Sequence, residues 1–303
     1  MMRSLWTTER LDKRMPEPLA GDGETNRRRK IRFIFRFIFF PLRLLIRLCL
    51  NVGIIRNEER RVAVTQATLK LRQWSSAFDG LTIAFLTDLH CSPWTPPDFL
   101  AQVIAQTNQL KPDVILLGGD YVTQNTNYVP AVVEVLSALK APSGVYFVLG
   151  NHDHRAAPEL IRNALTKIGF VDVDNSGQWL TCGDARLRIA GVGDLRRDHQ
   201  DLRAALSDAT EQDAVILLSH NPDYAMTLSD PRVRLVLSGH THGGQIILPR
   251  IGPPVTNSMY GSRLLSGLIH FGTFQLYVSR GIGTVGLPLR YNCPPEITLL
   301  TLT

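Results

Sequence analysis

The stretch "LVLSGHTHGGQ", residues 235–245, runs an aliphatic segment into two histidines one residue apart, with glycines on both sides. The aliphatic half is short, β-branched and closed by Ser and Gly, which marks a buried strand. Two imidazoles at one strand end say little alone. Their meaning depends on what the other apolar runs end in.

Four more runs have the same form: "LTIAFLTD" (81–88), "DVILLGGD" (113–120), "GVYFVLGN" (144–151) and "AVILLSH" (214–220). Helical patterns near 97–110, 128–140 and 157–168 lie between and after the first three. Strand-helix-strand alternation predicts an α/β domain. The stretch 178–193 reads as a hairpin, and "FQLYVSR" and "EITLLTL" as two further strands. Strands outnumber helices, so two sheets packed face to face with helices outside are expected.

The polar residues gather at the C-terminal ends of these runs, where open α/β sheets place ligands. The ends read Asp88-Leu89-His90, Gly119-Asp120, Gly150-Asn151-His152-Asp153, His220 and Gly239-His240-Thr241-His242, and hold five of the eight histidines. Imidazole, carboxylate and amide together suit transition metals of the Mn, Fe and Zn kind. On an extended segment residues i and i+2 share a side. Asp88 and His90 can then reach one point, as can His240 and His242, with Asp120 the natural carboxylate between two metals. Glycines would let these backbones crowd and take positive φ.

Composition is that of a globular chain: 303 residues, 44% hydrophobic and 20% charged. Four cysteines without CxxC spacing predict reduced thiols and no disulfide core. The net charge of +6 is uneven, with +9 in residues 1–80 and −3 in the remainder. A nucleic-acid enzyme would carry its positive charge on the catalytic domain, so no nucleic-acid partner is expected.

Residues 1–26 read as a disordered polar tail. In residues 27–55, Arg32, Arg36, Arg43 and Arg47 interrupt a Phe, Ile and Leu-rich run and fall within roughly 60° of one another on a helical wheel. Four arginines at bilayer depth are costly, so a basic amphipathic helix lying in the membrane interface is the expectation. Packing on the protein's own core and spanning with snorkelling arginines are the alternatives. "NRRRK" resembles a twin-arginine signal, but no A-x-A site follows, which favours a retained peripheral anchor on the cytoplasmic face of the cell membrane. Residues 56–79 read as a connector with one strand, "RVAVTQATLKL", ahead of a domain over 80–303.

The ordered set "DLH", "GD", "GNHD", "SH" and "GHTH" resembles the calcineurin-like metallophosphoesterases, whose pattern is D-x-H, G-D, G-N-H-[DE], H, G-H-x-H. "GHTHGGQ" and residues 277–300 are similar to its membrane-associated bacterial branch, the YkuE- and YaeI-type phosphoesterases and the UDP-2,3-diacylglucosamine hydrolases. The resemblance implies a two-sheet αββα sandwich. It implies two divalent ions, Mn, Zn or Fe. One would take Asp88, His90, Asp120 and His242, the other Asp120, Asn151, His220 and His240. Such a pair clamps phosphoryl oxygens and lowers the pKa of a bound water for in-line attack on phosphorus. His152 would protonate the leaving oxygen or stabilise phosphoryl charge, and Asp153 would orient His152 or hold it charged. Arg155 is a candidate phosphate contact and Gln245 a candidate substrate contact, against plain roles at the rim.

The expected activity is hydrolysis of a phosphoester or pyrophosphate bond at a phospholipid membrane surface, with a UDP-2,3-diacylglucosamine-type lipid pyrophosphate as the specific substrate. The alternatives are a general phosphodiesterase or phosphomonoesterase, or a non-catalytic scaffold of the same fold. A scaffold would show a missing ligand, and every motif is intact.

Overall fold

Ile83 and Phe85 face one way and Ala84 and Leu86 the other, and all four are buried. Strands covered on both faces need continuous apolar runs rather than alternation. A computed structural model describes residues 58–303. The polar tail over 1–26 and the amphipathic helix over 27–55 lie outside the described residues.

In chain order the elements begin with β1 (Ala63–Leu69), β2 (Thr82–Leu86), α1 (Pro97–Gln109), β3 (Val114–Leu117), α2 (Val129–Leu136), β4 (Val145–Phe147), α3 (Asn151–Ala156), α4 (Pro158–Lys167) and β5 (Val171–Asp172). They continue with β6 (Ser176–Cys182), β7 (Ala185–Gly191), α5 (Leu202–Leu206), β8 (Ala214–Leu218), β9 (Val233–Ser238), β10 (Gly267–His270), β11 (Gln275–Val278) and β12 (Glu296–Leu302). One six-stranded sheet has the order β1-β12-β2-β3-β4-β5, the other β10-β11-β9-β8-β7-β6. Both are mixed. β2 to β5 run parallel with β12 antiparallel beside β2, and β7, β8, β9 and β11 run parallel between antiparallel β6 and β10.

Three apolar layers follow. Phe85, Leu116 and Val148 meet Ile189, Ile216, Leu218 and Leu237 between the sheets. Phe99, Val103 and Ile104 of α1, with Val132 and Leu136 of α2 and Ile161 and Leu165 of α4, cover the first sheet's outer face. Ala205 and Leu206 of α5 and Tyr224 cover the second. This is the expected αββα sandwich. α1, α2 and α4 each carry a proline in the first two positions, where its missing N–H costs nothing.

Some elements differ from the sequence reading. Residues 63–69 are not a connector strand outside the domain, because β1 pairs with β12 along all seven residues and forms the sheet's edge. α3 and α5 are too short to show helical periodicity, and the two-residue β5 has no pattern to read. Among the described residues no helix is long and apolar enough to cross a membrane, and Cys91, Cys182 and Cys293 are free thiols.

Candidate metal centre

The loops that follow β2, β3, β4, β8 and β9 meet at one end of the sandwich. Asp88, His90, Asp120, His240 and His242 all have positive φ, between 47° and 68°. That conformation costs a non-glycine residue of order 1–3 kcal/mol and persists only where the surroundings impose it. Hydrogen bonds impose it here. The N–H of Asp88 donates to Gly119 O and that of His90 to Asp120 O, both at 2.9 Å. The N–H of His240 donates to Asp88 Oδ2 at 3.0 Å. The i and i+2 pairs therefore converge through left-handed turns, not through the strand alternation expected from sequence. Gly150 and Gly239 allow close approach: a Cβ at Gly150 would overlap the Asp120 carboxylate, and one at Gly239 would overlap Asp88 and Thr87.

The side chains form two adjoining groups. His90 Nε2 and His242 Nε2 stand 3.1 Å apart, and Asp88 Oδ1 lies 3.4 Å from His242 Nε2 and 3.9 Å from His90 Nε2. His220 Nε2 lies 3.2 Å from His240 Nδ1 and 3.3 Å from Asp120 Oδ2. The same Asp120 oxygen is 3.5 Å from His90 Nε2, so Asp120 joins the groups. Each set, Asp88-His90-His242 and Asp120-His220-His240, has donor atoms within 4.8 Å of one another. His152 brings a ring nitrogen within the same range of His90 and Asp120.

Residues 81–244 match the calcineurin-like phosphoesterase family. This chain belongs to that family. It is 37% identical over 249 residues to the metallophosphoesterase YkuE of Bacillus subtilis, covering 81% of this chain and 87% of that protein. To Phosphodiesterase YaeI of Escherichia coli it is 35% identical over 226 residues, 73% of this chain and 81% of the relative. To the UDP-2,3-diacylglucosamine pyrophosphatase LpxG of Chlamydia trachomatis it is 29% identical over 299 residues, 80% and 90% of the two chains. The chain is thus a phosphoesterase of the hydrolase class, and its family fold implies divalent metal ions.

The residues of this phosphoesterase fit such ions. Asp120 Oδ2, Asn151 Oδ1 and His240 Nε2 are buried atoms with no hydrogen-bond partner. Buried polar atoms are rarely left so, and a cation is a standard reason. Burial opposes charge on His220, but Asp120, Asp88 and Asp194 outweigh it and raise its pKa well above the ordinary value. The pocket's carboxylates demand positive charge inside it. Burial pushes His90 and His242 down to about 3, so both are neutral imidazoles with a lone pair to offer. His220 Nδ1 donates to Gly118 O at 2.7 Å, which leaves Nε2 turned toward Asp120. An outer hydrogen bond of this kind orients metal-binding histidines.

Two expected roles change. Asp153 does not orient His152. It is fully buried, with Oδ2 accepting the N–H of Asp120 (2.7 Å) and Gly150 (2.9 Å) and Oδ1 those of Tyr121 (2.9 Å) and Val122 (3.4 Å). Both oxygens are committed to backbone, so Asp153 staples the β3 loop to the start of α3. The group that orients His152 is the carbonyl of Thr123, which accepts from Nδ1 at 2.5 Å. The Gln245 amide is likewise committed to backbone groups. Its Nε2 donates to Val285 O and Leu287 O and its Oε1 accepts from Val285 N, which closes the loop over residues 285–287.

Arg155 is exposed on α3, four residues and one helical turn after Asn151. Beside it the phosphoesterase has residues that motif reading missed. Asp194 is fully buried after β7, with Oδ2 unpartnered, and it is held up in pKa by burial while His220 pulls it down. Its Oδ1 and carbonyl fix the backbone N–H groups of Arg196 and Arg197. Burial lowers the Arg155 pKa, and the charges of Arg197 and Arg196 lower it further against Asp120. No carboxylate pairs with Arg155, Arg196 or Arg197 among the described residues. "GVGD" at 191–194, another strand ending in Gly-Asp, was the available signal.

Proposed function

We propose that this phosphoesterase hydrolyses the phosphoester or pyrophosphate bond of a lipid-linked substrate at a membrane surface. Asp88, His90, Asp120 and His242 would hold one metal, and Asp120, Asn151, His220 and His240 the other. When bound, such ions polarise phosphoryl oxygens and supply an activated water. The donor set of imidazole, carboxylate and amide favours Mn, Zn or Fe over Mg or Ca. The observation that carries the reading is the buried, partnerless Oδ2 of Asp120, facing His90 on one side and His220 on the other.

The protein's own groups then do the following. His152 keeps its Nδ1 proton on Thr123 O, which presents Nε2 as the nitrogen that passes a proton to the leaving oxygen. Arg155, Arg196 and Arg197 offer guanidinium groups to a second phosphate or to other anionic parts of the substrate. Asp153 and Gly150 keep the Asp120 loop from moving during turnover. The segment 27–55 would hold the chain on the cytoplasmic face through its arginines.

A pyrophosphate link is favoured by the guanidinium groups of Arg155, Arg196 and Arg197, which no carboxylate neutralises among the described residues, and by the likeness to a relative named a UDP-2,3-diacylglucosamine pyrophosphatase. A plain diester is favoured by the relative named a phosphodiesterase. A substrate panel separates them: aryl phosphodiester, aryl phosphomonoester and lipid pyrophosphate in detergent, each with Mn, Zn or Mg, and Asp120→Ala as blank. Turnover of the lipid pyrophosphate at least about tenfold above the diester supports the specific reading. Turnover of the diester alone replaces it with the general phosphodiesterase, and no turnover with two metals bound removes both.

A further inference from the structure

Six large hydrophobic residues are exposed among the described residues, and four of them lie in the twelve positions 248–259. They are Leu248, Ile251, Val255 and Met259, at 36%, 79%, 53% and 74% exposure. Single exposed apolar residues are ordinary, but four in one loop mark a contact surface. The charged residues of segment 246–270 are Arg250 and Arg263, and it contains no Asp or Glu.

The loop is not a loose tail. Leu248 and Gly252 exchange backbone hydrogen bonds at 2.9 and 3.0 Å, which makes a tight turn with Arg250 and Ile251 at its tip. Ile247 is tied on both sides, by its N–H to Tyr291 O and by its O from Asn292 Nδ2. Asn257 O accepts from Arg196 at 2.7 Å, and the N–H of Met259 donates to Asp223 Oδ2 at 2.9 Å. Thr241 Oγ1 donates to Leu265 O at 2.6 Å. Arg196 belongs to the guanidinium rim, Asp223 follows His220 by three residues, and Thr241 stands between His240 and His242. The apolar residues are therefore displayed from a braced wall of the metal pocket.

We infer that the loop 246–263 docks on an anionic lipid bilayer, with Ile251, Val255 and Met259 entering the acyl boundary and Arg250 among the headgroup phosphates. The inference rests on the reading of a phosphoesterase that works at a membrane surface. It adds a second attachment beside the pocket mouth, independent of residues 27–55. Charge selects the occupant: the segment's large exposed side chains are apolar and cationic, it holds no Asp or Glu of its own, and Asp223 behind it is buried against Ser258 and Met259, which together match an anionic lipid surface. Docking there turns the pocket's rim toward the headgroups, so a lipid-linked phosphate reaches the metals without leaving the bilayer.

The test uses the full chain with Val255→Cys in a Cys49→Ser, Cys182→Ser background, carrying an environment-sensitive NBD label. Vesicles of phosphatidylglycerol and phosphatidylethanolamine, with and without nitroxide-labelled acyl chains, are the probe. Blue-shifted, nitroxide-quenched emission at position 255, absent from a label on Asp184→Cys at the remote β6–β7 turn, is the expected result. It should weaken at least about tenfold in vesicle affinity in Ile251→Asp, Met259→Asp, which keeps turnover of a soluble aryl phosphodiester. An unquenched label on protein that co-sediments with the vesicles overturns the inference, as does failure to co-sediment. A blue shift already present without lipid also overturns it, and points to coverage by residues 27–55 or by a second copy. In each case soluble turnover by the parent protein shows whether the phosphoesterase reading still stands.

Discussion

A single carboxylate oxygen of Asp153 accepts the backbone N–H of Asp120 at 2.7 Å, and the same oxygen takes that of Gly150 at 2.9 Å. Two strand-end loops are laced together behind the metal pocket by a residue that reaches no substrate. Asp153→Asn would turn an amide NH₂ against N–H groups. The expected cost is about 2–4 kcal/mol of stability, with fewer than two metals retained per chain. Urea unfolding and metal analysis read both. An unchanged midpoint with full metal content would sink the staple.

His152→Ala should behave in the opposite way. Its ring is held by one hydrogen bond at the rim, so removal leaves the buried ligands in place. Metal content and melting temperature stay near the parent values while kcat/KM falls about 10²- to 10⁴-fold. Near-full turnover in a fully metallated protein would take the proton-transfer role away from His152.

Gly239→Ala tests close approach. The new methyl would overlap Asp88 and Thr87, in a backbone pinned by the His240 N–H on Asp88. Overpacking of this kind costs about 1–3 kcal/mol. Metal bound by Asp88 should weaken before the fold is lost, so titration with Mn or Zn ought to show one weak and one near-normal site. Two unperturbed sites would mean that the loop gives way freely.

The pH dependence of stability has one clear contributor away from the metal pocket. Arg186 donates to both Asp213 oxygens at 2.8 Å, and Thr210 adds two more hydrogen bonds. Arg186 foremost, against burial and with Thr210, holds the Asp213 carboxyl down at about 2. A carboxyl depressed in the folded state stabilises fully above its unfolded value near 3.8 and loses that contribution as pH falls through about 2. Asp213→Asn should melt about 2–4 °C below the parent at pH 7, with the gap closing between pH 4 and pH 2. A gap that stays constant with pH would place the effect in packing instead of charge.

The five motif-bearing strand ends could be read in the sequence because two local signals coincide there. Aliphatic runs of strand length state the burial, and the residues that close them state the chemistry. β8 illustrates both, since Ala214–Leu218 is buried throughout and His220 follows at the pocket. α3 could not be read, because six residues within a metal motif have no periodicity of their own. β1 looked like a connector for a different reason: as an edge strand it is only half covered, and the partner that defines it, β12, lies more than two hundred residues away.

The chain's residue order by itself determined the fold class, the family and the set of metal-ligand candidates, since each depends on short-range pattern. Tertiary structure alone decided how those candidates converge and what their neighbours do. Left-handed turns at Asp88, His90 and His240 are imposed by hydrogen bonds to other loops. Asp153 became a staple and Gln245 a loop closure because backbone groups distant in sequence reached their oxygens first. Asp194 and the arginines beside it entered the site only when β7 was laid against β8. Hydrogen-bond partners and pocket electrostatics depend on distance in space, and linear spacing does not carry that information.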